Sequence, residues 1–218
     1  MVSLLPYDYA LRVRGYRNIE AVVMTPDHFD FRAALREERS RDKQLAKMLA
    51  DAFAGDDPEK LLQAIDQMEY AVDGWRLALA RVGRLGEVSP EVSAAFLNVW
   101  IQMKHLPLEV GHRPTMAKAL RVLLSPLRPA VSESMKLYRG ASARERRSRL
   151  YGFSWSQDVN IAESFAEAKR SIGAVVMETL ATPEAVLLIR EPEGFYDEGE
   201  VIVDPYRLGA VRVIGRLT

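Results

Sequence analysis

Near residue 134 the chain changes its hydrophobic period, and this change limits what it can fold into. Before that point apolar residues recur at spacings of three and four, the period of a helix with one buried face. After it they come in short runs rich in β-branched residues, bounded by Gly, Pro, Asp and Ser. Helices first and strands second predict an α+β chain with an antiparallel-rich sheet, not alternating βαβ units. We therefore expect a helical region over residues 1–130 and a β-rich region over 131–218.

The helical part has four expected helices. The first runs roughly Phe29–Phe53, after the start signal Thr25-Pro26-Asp27. Its middle, Arg36–Lys43, is nearly all charged and reads as a solvated face. In the second, Leu61, Ile65, Met68, Val72, Trp75 and Leu79 form one apolar stripe suited to intramolecular packing. The third carries Val92, Phe96, Val99, Trp100 and Met103. Leu106–Arg113 reads as a loop, and a fourth helix starts near Pro114 and stops at Pro126.

The β-rich part predicts strands at Lys136–Arg139, Phe153–Ser156, Ala174–Leu180, Ala185–Arg190, Val201–Val203 and Ala210–Gly215. One helix interrupts them near Ile161–Arg170, with Asn160 and Glu163 placed as a capping box. Arg144–Arg149 holds four arginines and one glutamate, which suits a solvated face or contact with an acidic partner or a nucleic-acid backbone.

Composition removes several chemistries. With no cysteine among 218 residues, disulfides, zinc thiolates, iron–sulfur clusters and thiol catalysis are excluded. Lys+Arg and Asp+Glu are both 30, so net charge gives no signal for nucleic acid or an anionic membrane surface. No stretch approaches the roughly 20 apolar residues of a membrane span. Met1–Ala10 does not read as a signal peptide. The expected setting is the cytoplasm, or a host cell reached by a route without a cleaved signal.

The residue types that could carry chemistry cluster in three places. Glu198 and Glu200 stand two apart at the mouth of Val201–Val203, so on a strand they share a face. Two carboxylates that close repel, which favours a division of labour between them. Tyr138-Arg139-Gly140 ends the first strand; Arg139 offers a fork of donors suited to phosphate, and Gly140 allows close approach to the backbone. Ser154 and Ser156 flank Trp155 and share one strand face. His28, His105 and His112 are scattered and read as structural or surface residues.

In this order and spacing, Arg139, Ser154-Trp155-Ser156 and Glu198-Gly199-Glu200 resemble the Arg–Ser–Glu signature of mono-ADP-ribosyltransferases, the branch of the cholera-toxin-like and binary-toxin-like enzymes. The resemblance covers about Met135–Arg216. Trp155 departs from the commoner Thr at its position.

The resemblance implies a β-sandwich transferase core that uses NAD as co-substrate, with no metal. Glu200 would stabilise the ribose cation that forms as nicotinamide leaves, and Ser154 would hold Glu200. Arg139 would bind the NAD phosphates, and Gly140 the nicotinamide amide. Ser156 also belongs to the NAD site, and Phe165 would stack on nicotinamide. Glu198 would receive the acceptor nucleophile, most often arginine, and Phe195 and Tyr196 would help select the protein acceptor. Residues 1–130 would line one wall of the NAD cleft or recognise the target. An NAD glycohydrolase using the same residues, and a binding module that keeps the fold without catalysis, are the alternatives.

Overall fold

The computed structural model describes residues 30–190 and 199–217, with Glu69 and Tyr70 described in the backbone alone. They form eight α-helices and six strands. The chain divides into two compact units, Met1–Met116 and Ala117–Thr218. The division falls inside a helix, ahead of the boundary expected from sequence at 130/131.

In the first unit the helices are α1 (Phe31–Ala54), α2 (Pro58–Asp66), α3 (Gly74–Val82), α4 (Pro90–Gln102) and α5 (Leu106–Val110). Helix α6 (Arg113–Leu123) carries the division. Side-chain caps start α1, α2 and α4, where Asp30, Asp57 and Ser89 accept from first-turn N–H groups. Phe53 and Phe96 meet edge to face at 5.8 Å, in a core that includes Leu49, Leu61, Met68 and Leu79.

Three expectations for this unit need correction. The stripe from Leu61 to Leu79 is not one helix: it breaks at a 3₁₀ turn over Gln67–Tyr70, and Val72 is exposed. The break is tight, since a Cβ on Gly74 would lie 2.4 Å from that of Ala71. Within the charged run, Asp42 is buried and accepts from the Asp73 backbone N–H at 3.1 Å. A tertiary contact, which periodicity cannot reveal, thus turns one charged residue inward. Finally, the expected loop at Leu106–Arg113 contains α5, closed by Gly111 at φ 62°.

The second unit is built on β1 (Met135–Ser142), β2 (Ser154–Ser156), β3 (Ala174–Ala181), β4 (Val186–Ile189), β5 (Glu200–Val203) and β6 (Val211–Leu217), with α7 (Ala143–Ser148) and α8 (Val159–Glu167) between strands. All six expected strands are present. They form one sheet in the order β4-β5-β2-β1-β3-β6. Every pairing is antiparallel. The chain is thus α+β as expected, but in place of the expected sandwich the described strands form a single connected antiparallel sheet. Its two three-stranded halves meet at one residue pair, Tyr138 opposite Ser156.

The two faces differ in composition. Leu137, Ala141, Trp155, Val175, Met177, Val201 and Val203 build one core cluster. Ala162 and Ala166 of α8 build the other with Ala174 and Val176, beside Tyr138. Helix α8 lies so close to β1 that a Cβ on Gly140 would sit 2.0 Å from the Ala162 carbonyl oxygen. Its cap is Asp158, accepting from the Asn160 N–H at 2.8 Å, and not the expected Asn160–Glu163 box.

Candidate active site

Strand register aligns the site. Tyr138 of β1 stands opposite Ser156 of β2, and Ser156 stands opposite Glu200 of β5. The Arg190 N–H, just past the end of β4, donates to the Glu200 carbonyl at 2.9 Å. Directly opposed residues share a face, so Tyr138, Ser156, Glu200 and Arg190 make a row across four adjacent strands. Ser154 lies on the same face, opposite Ile202. Helix α8, with Phe165, covers β1 on this face.

Glu200 opens β5 directly after Gly199, whose φ of 49° suits glycine. Its Oε2 accepts from Arg190 Nη1 at 2.9 Å, in an ion pair whose side chains are 17% and 13% exposed. The Ser156 Oγ accepts from the Asp158 N–H at 3.0 Å.

Arg139 leaves the opposite face, one residue along from Tyr138. Its Nε donates to Glu145 Oε1 at 2.7 Å, and its Nη1 to the Ser154 carbonyl at 2.6 Å. Glu145 Oε1 also accepts from the Gly152 N–H at 2.9 Å. The guanidinium therefore ties β1 to α7 and to β2. It fits against Gly152, where a Cβ would lie 2.1 Å from Nη2.

Gly140 has a different neighbour from the one its sequence suggests. The backbone that approaches it closely is that of α8, and its carbonyl accepts from Lys169 Nζ at 3.0 Å. Lys169 Nζ also stands 5.7 Å from the centre of the Phe165 ring, which is itself 42% exposed. Burial holds the Lys169 ammonium below the usual lysine range; Arg139 adds to this, and Glu145 opposes it.

The structure thus brings Ser154, Ser156, Gly140, Glu200 and α8 with Phe165 to one face, and turns the Arg139 side chain to the other. Glu198, Phe195 and Tyr196 lie outside the described residues. Sequence reasoning passed over Glu145, Gly152 and Arg190. Glu145 had a readable signal: it stands three residues after Ser142, whose Oγ accepts its N–H at 3.2 Å. Arg190 had none, because its alignment depends on a bulge in β4.

Among the described residues no group of His, Asp and Glu could hold a metal ion. No family model, curated protein or solved structure matches the chain.

Proposed function

We propose that the chain is an NAD-dependent mono-ADP-ribosyltransferase that modifies a protein, most readily at arginine. The observation that carries this reading is the sheet order. The Ser154–Ser156 strand and Glu200 are far apart in sequence, yet β2 and β5 are neighbours in the sheet, with β1 on the other side of β2. The register then sets Ser156 against Glu200.

The chemistry follows from that placement. The bond between nicotinamide nitrogen and ribose C1′ breaks, and nicotinamide leaves with the bonding pair. Positive charge develops on the ribose, as in glycoside cleavage. The Glu200 carboxylate, fixed at the start of a strand, stabilises that charge without reorganising. A guanidinium nitrogen of the acceptor then bonds to C1′ and gives up a proton, which a carboxylate accepts. Phe165, exposed on the covered face, offers a ring for nicotinamide stacking. Arg139 is engaged by Glu145 on the face opposite Glu200, so this geometry does not present it to a phosphate of NAD held at Glu200. Arg139 then acts first as a brace between β1 and β2.

The test is incubation of purified protein with labelled NAD and a bacterial lysate, beside the Glu200→Gln variant. Label on discrete proteins, lost in the variant, is the expected result. Nicotinamide release in Glu200→Gln should fall by about 10²–10³ or more, the range for removing one transition-state-stabilising group. Nicotinamide release without label would identify an NAD glycohydrolase instead. No NAD turnover in the wild type would refute both. Within the transferase reading, Glu198→Gln should impair transfer more than hydrolysis, and equal loss of the two would reject the separate roles of the carboxylates.

A further inference from the structure

The ladder between β4 and β5 contains an irregularity with a chemical consequence. Val186 stands opposite Val203, but Leu188 stands opposite Ile202 and Ile189 opposite Val201. A regular antiparallel ladder continued from Val186–Val203 would set Leu187 against Ile202 and Arg190 against Gly199. One extra residue on β4, a β-bulge, shifts the register by one. Because side chains alternate, that shift moves Arg190 opposite Glu200 and onto its face. The result is a double attachment: the Arg190 N–H donates to the Glu200 carbonyl at 2.9 Å, and Nη1 donates to Glu200 Oε2 at 2.9 Å. Both side chains are largely withdrawn from water, so the pair is less screened than a surface ion pair.

We infer that Arg190 is the positioning residue for the Glu200 carboxylate. The inference rests on the transferase reading, and it assigns a role to a residue outside the Arg–Ser–Glu signature. A carboxylate that stabilises a forming ribose cation must keep one orientation while the bond breaks. A single carboxylate at a strand mouth rotates about its terminal torsion, which is broad and soft. Arg190 Nη1 takes Oε2 in a charge-assisted hydrogen bond and limits that rotation. The bulge is what brings the fork to the carboxylate, and bulges beside active sites characteristically re-aim a side chain.

The experiment measures nicotinamide release from NAD by the full chain carrying Arg190→Met or Arg190→Lys. Arg190→Met keeps an unbranched apolar stem and loses the guanidinium with its charge and donors. Its kcat should drop at least about tenfold, toward the ~10²-fold that an ångström of misplacement can cost. KM for NAD should stay within about twofold, since ground-state binding is untouched. Arg190→Lys should recover part of the lost kcat. An unchanged kcat in Arg190→Met, a rise in KM with kcat intact, or no recovery in Arg190→Lys would each overturn the assignment. If Arg190→Met does not fold, Arg190→Lys alone decides by the same split: a lower kcat at constant KM supports positioning, and a raised KM rejects it. An inert wild type would remove the transferase reading and this inference with it; an active wild type matched by Arg190→Met removes only the inference.

Discussion

Gly140 and Gly152 show how one residue type can have two different reasons to be present. A Cβ at Gly140 would meet backbone atoms of α8, at 2.0 Å from Ala162 O and 2.4 Å from Ala166 N. Backbone cannot step aside, so Gly140→Ala should destabilise the protein by at least the ~1–3 kcal/mol typical of overpacking. Urea unfolding measures this, and an unchanged midpoint would contradict the packing. At Gly152 the clash is with the Arg139 guanidinium, a side-chain end. Gly152→Ala should therefore cost less stability but displace Arg139 from Glu145. Lys169 offers a pH test. Its folded pKa lies below the usual lysine range, chiefly through burial. Between the folded and unfolded values the unfolded chain binds more protons, so stability rises with pH across that window. The cost is fully present below the folded value and disappears toward the unfolded one. Wild type should thus gain stability relative to Lys169→Met between neutral pH and about pH 10; a pH-independent difference would count against this. At this scale the sequence showed which residues are chemically capable. It could not show that Gly140 faces a helix, because α8 follows β1 only after α7 and β2.

Elements were the most legible level. Six short apolar runs predicted six strands, because each had to bury one pleated face and was bounded by turn residues. Helix ends were harder. Asp158, not Asn160, caps α8, and Asp158→Ala should cost about 1 kcal/mol, the usual loss of a side-chain cap. Differential unfolding of that variant checks it. Helix α7 is a short piece of the basic run whose one glutamate points inward. Glu145 pairs with Arg139 at 2.7 Å with side chains 19% and 21% exposed. Glu145→Gln removes half of this partly buried pair, and about 1–3 kcal/mol of stability should go with it, less than for a fully buried pair. A loss indistinguishable from zero would mean that water satisfies Arg139 equally well. The basic run read as solvated because charge alone marks a surface; only the fold decides which charge meets a buried partner.

At the scale of the whole molecule, the division after Met116 makes a prediction about the β-rich unit. Asp204 is fully buried. Its Oδ2 accepts no hydrogen bond, but lies 3.2 Å from Arg121 Nε and 3.6 Å from Arg207 Nε. Arg121 belongs to α6, before the boundary expected from sequence. Residues 117–218 expressed alone should therefore be more stable than residues 131–218, by about 1–3 kcal/mol after allowing for the partial exposure of Arg121. Equal urea midpoints for the two pieces would discard Asp204 as the reason. By itself, the sequence determined that helices precede strands, where the six strands lie and which residue types could carry chemistry, because period, turn chemistry and composition are local properties. Strand neighbours and register are not local. Only the tertiary structure decided that β1, β2 and β5 lie side by side, that Ser156 faces Glu200, and that a one-residue bulge delivers Arg190 to the same carboxylate. The physical reason is that pairing strands far apart in sequence depends on which faces must be buried together, and no single strand carries that information.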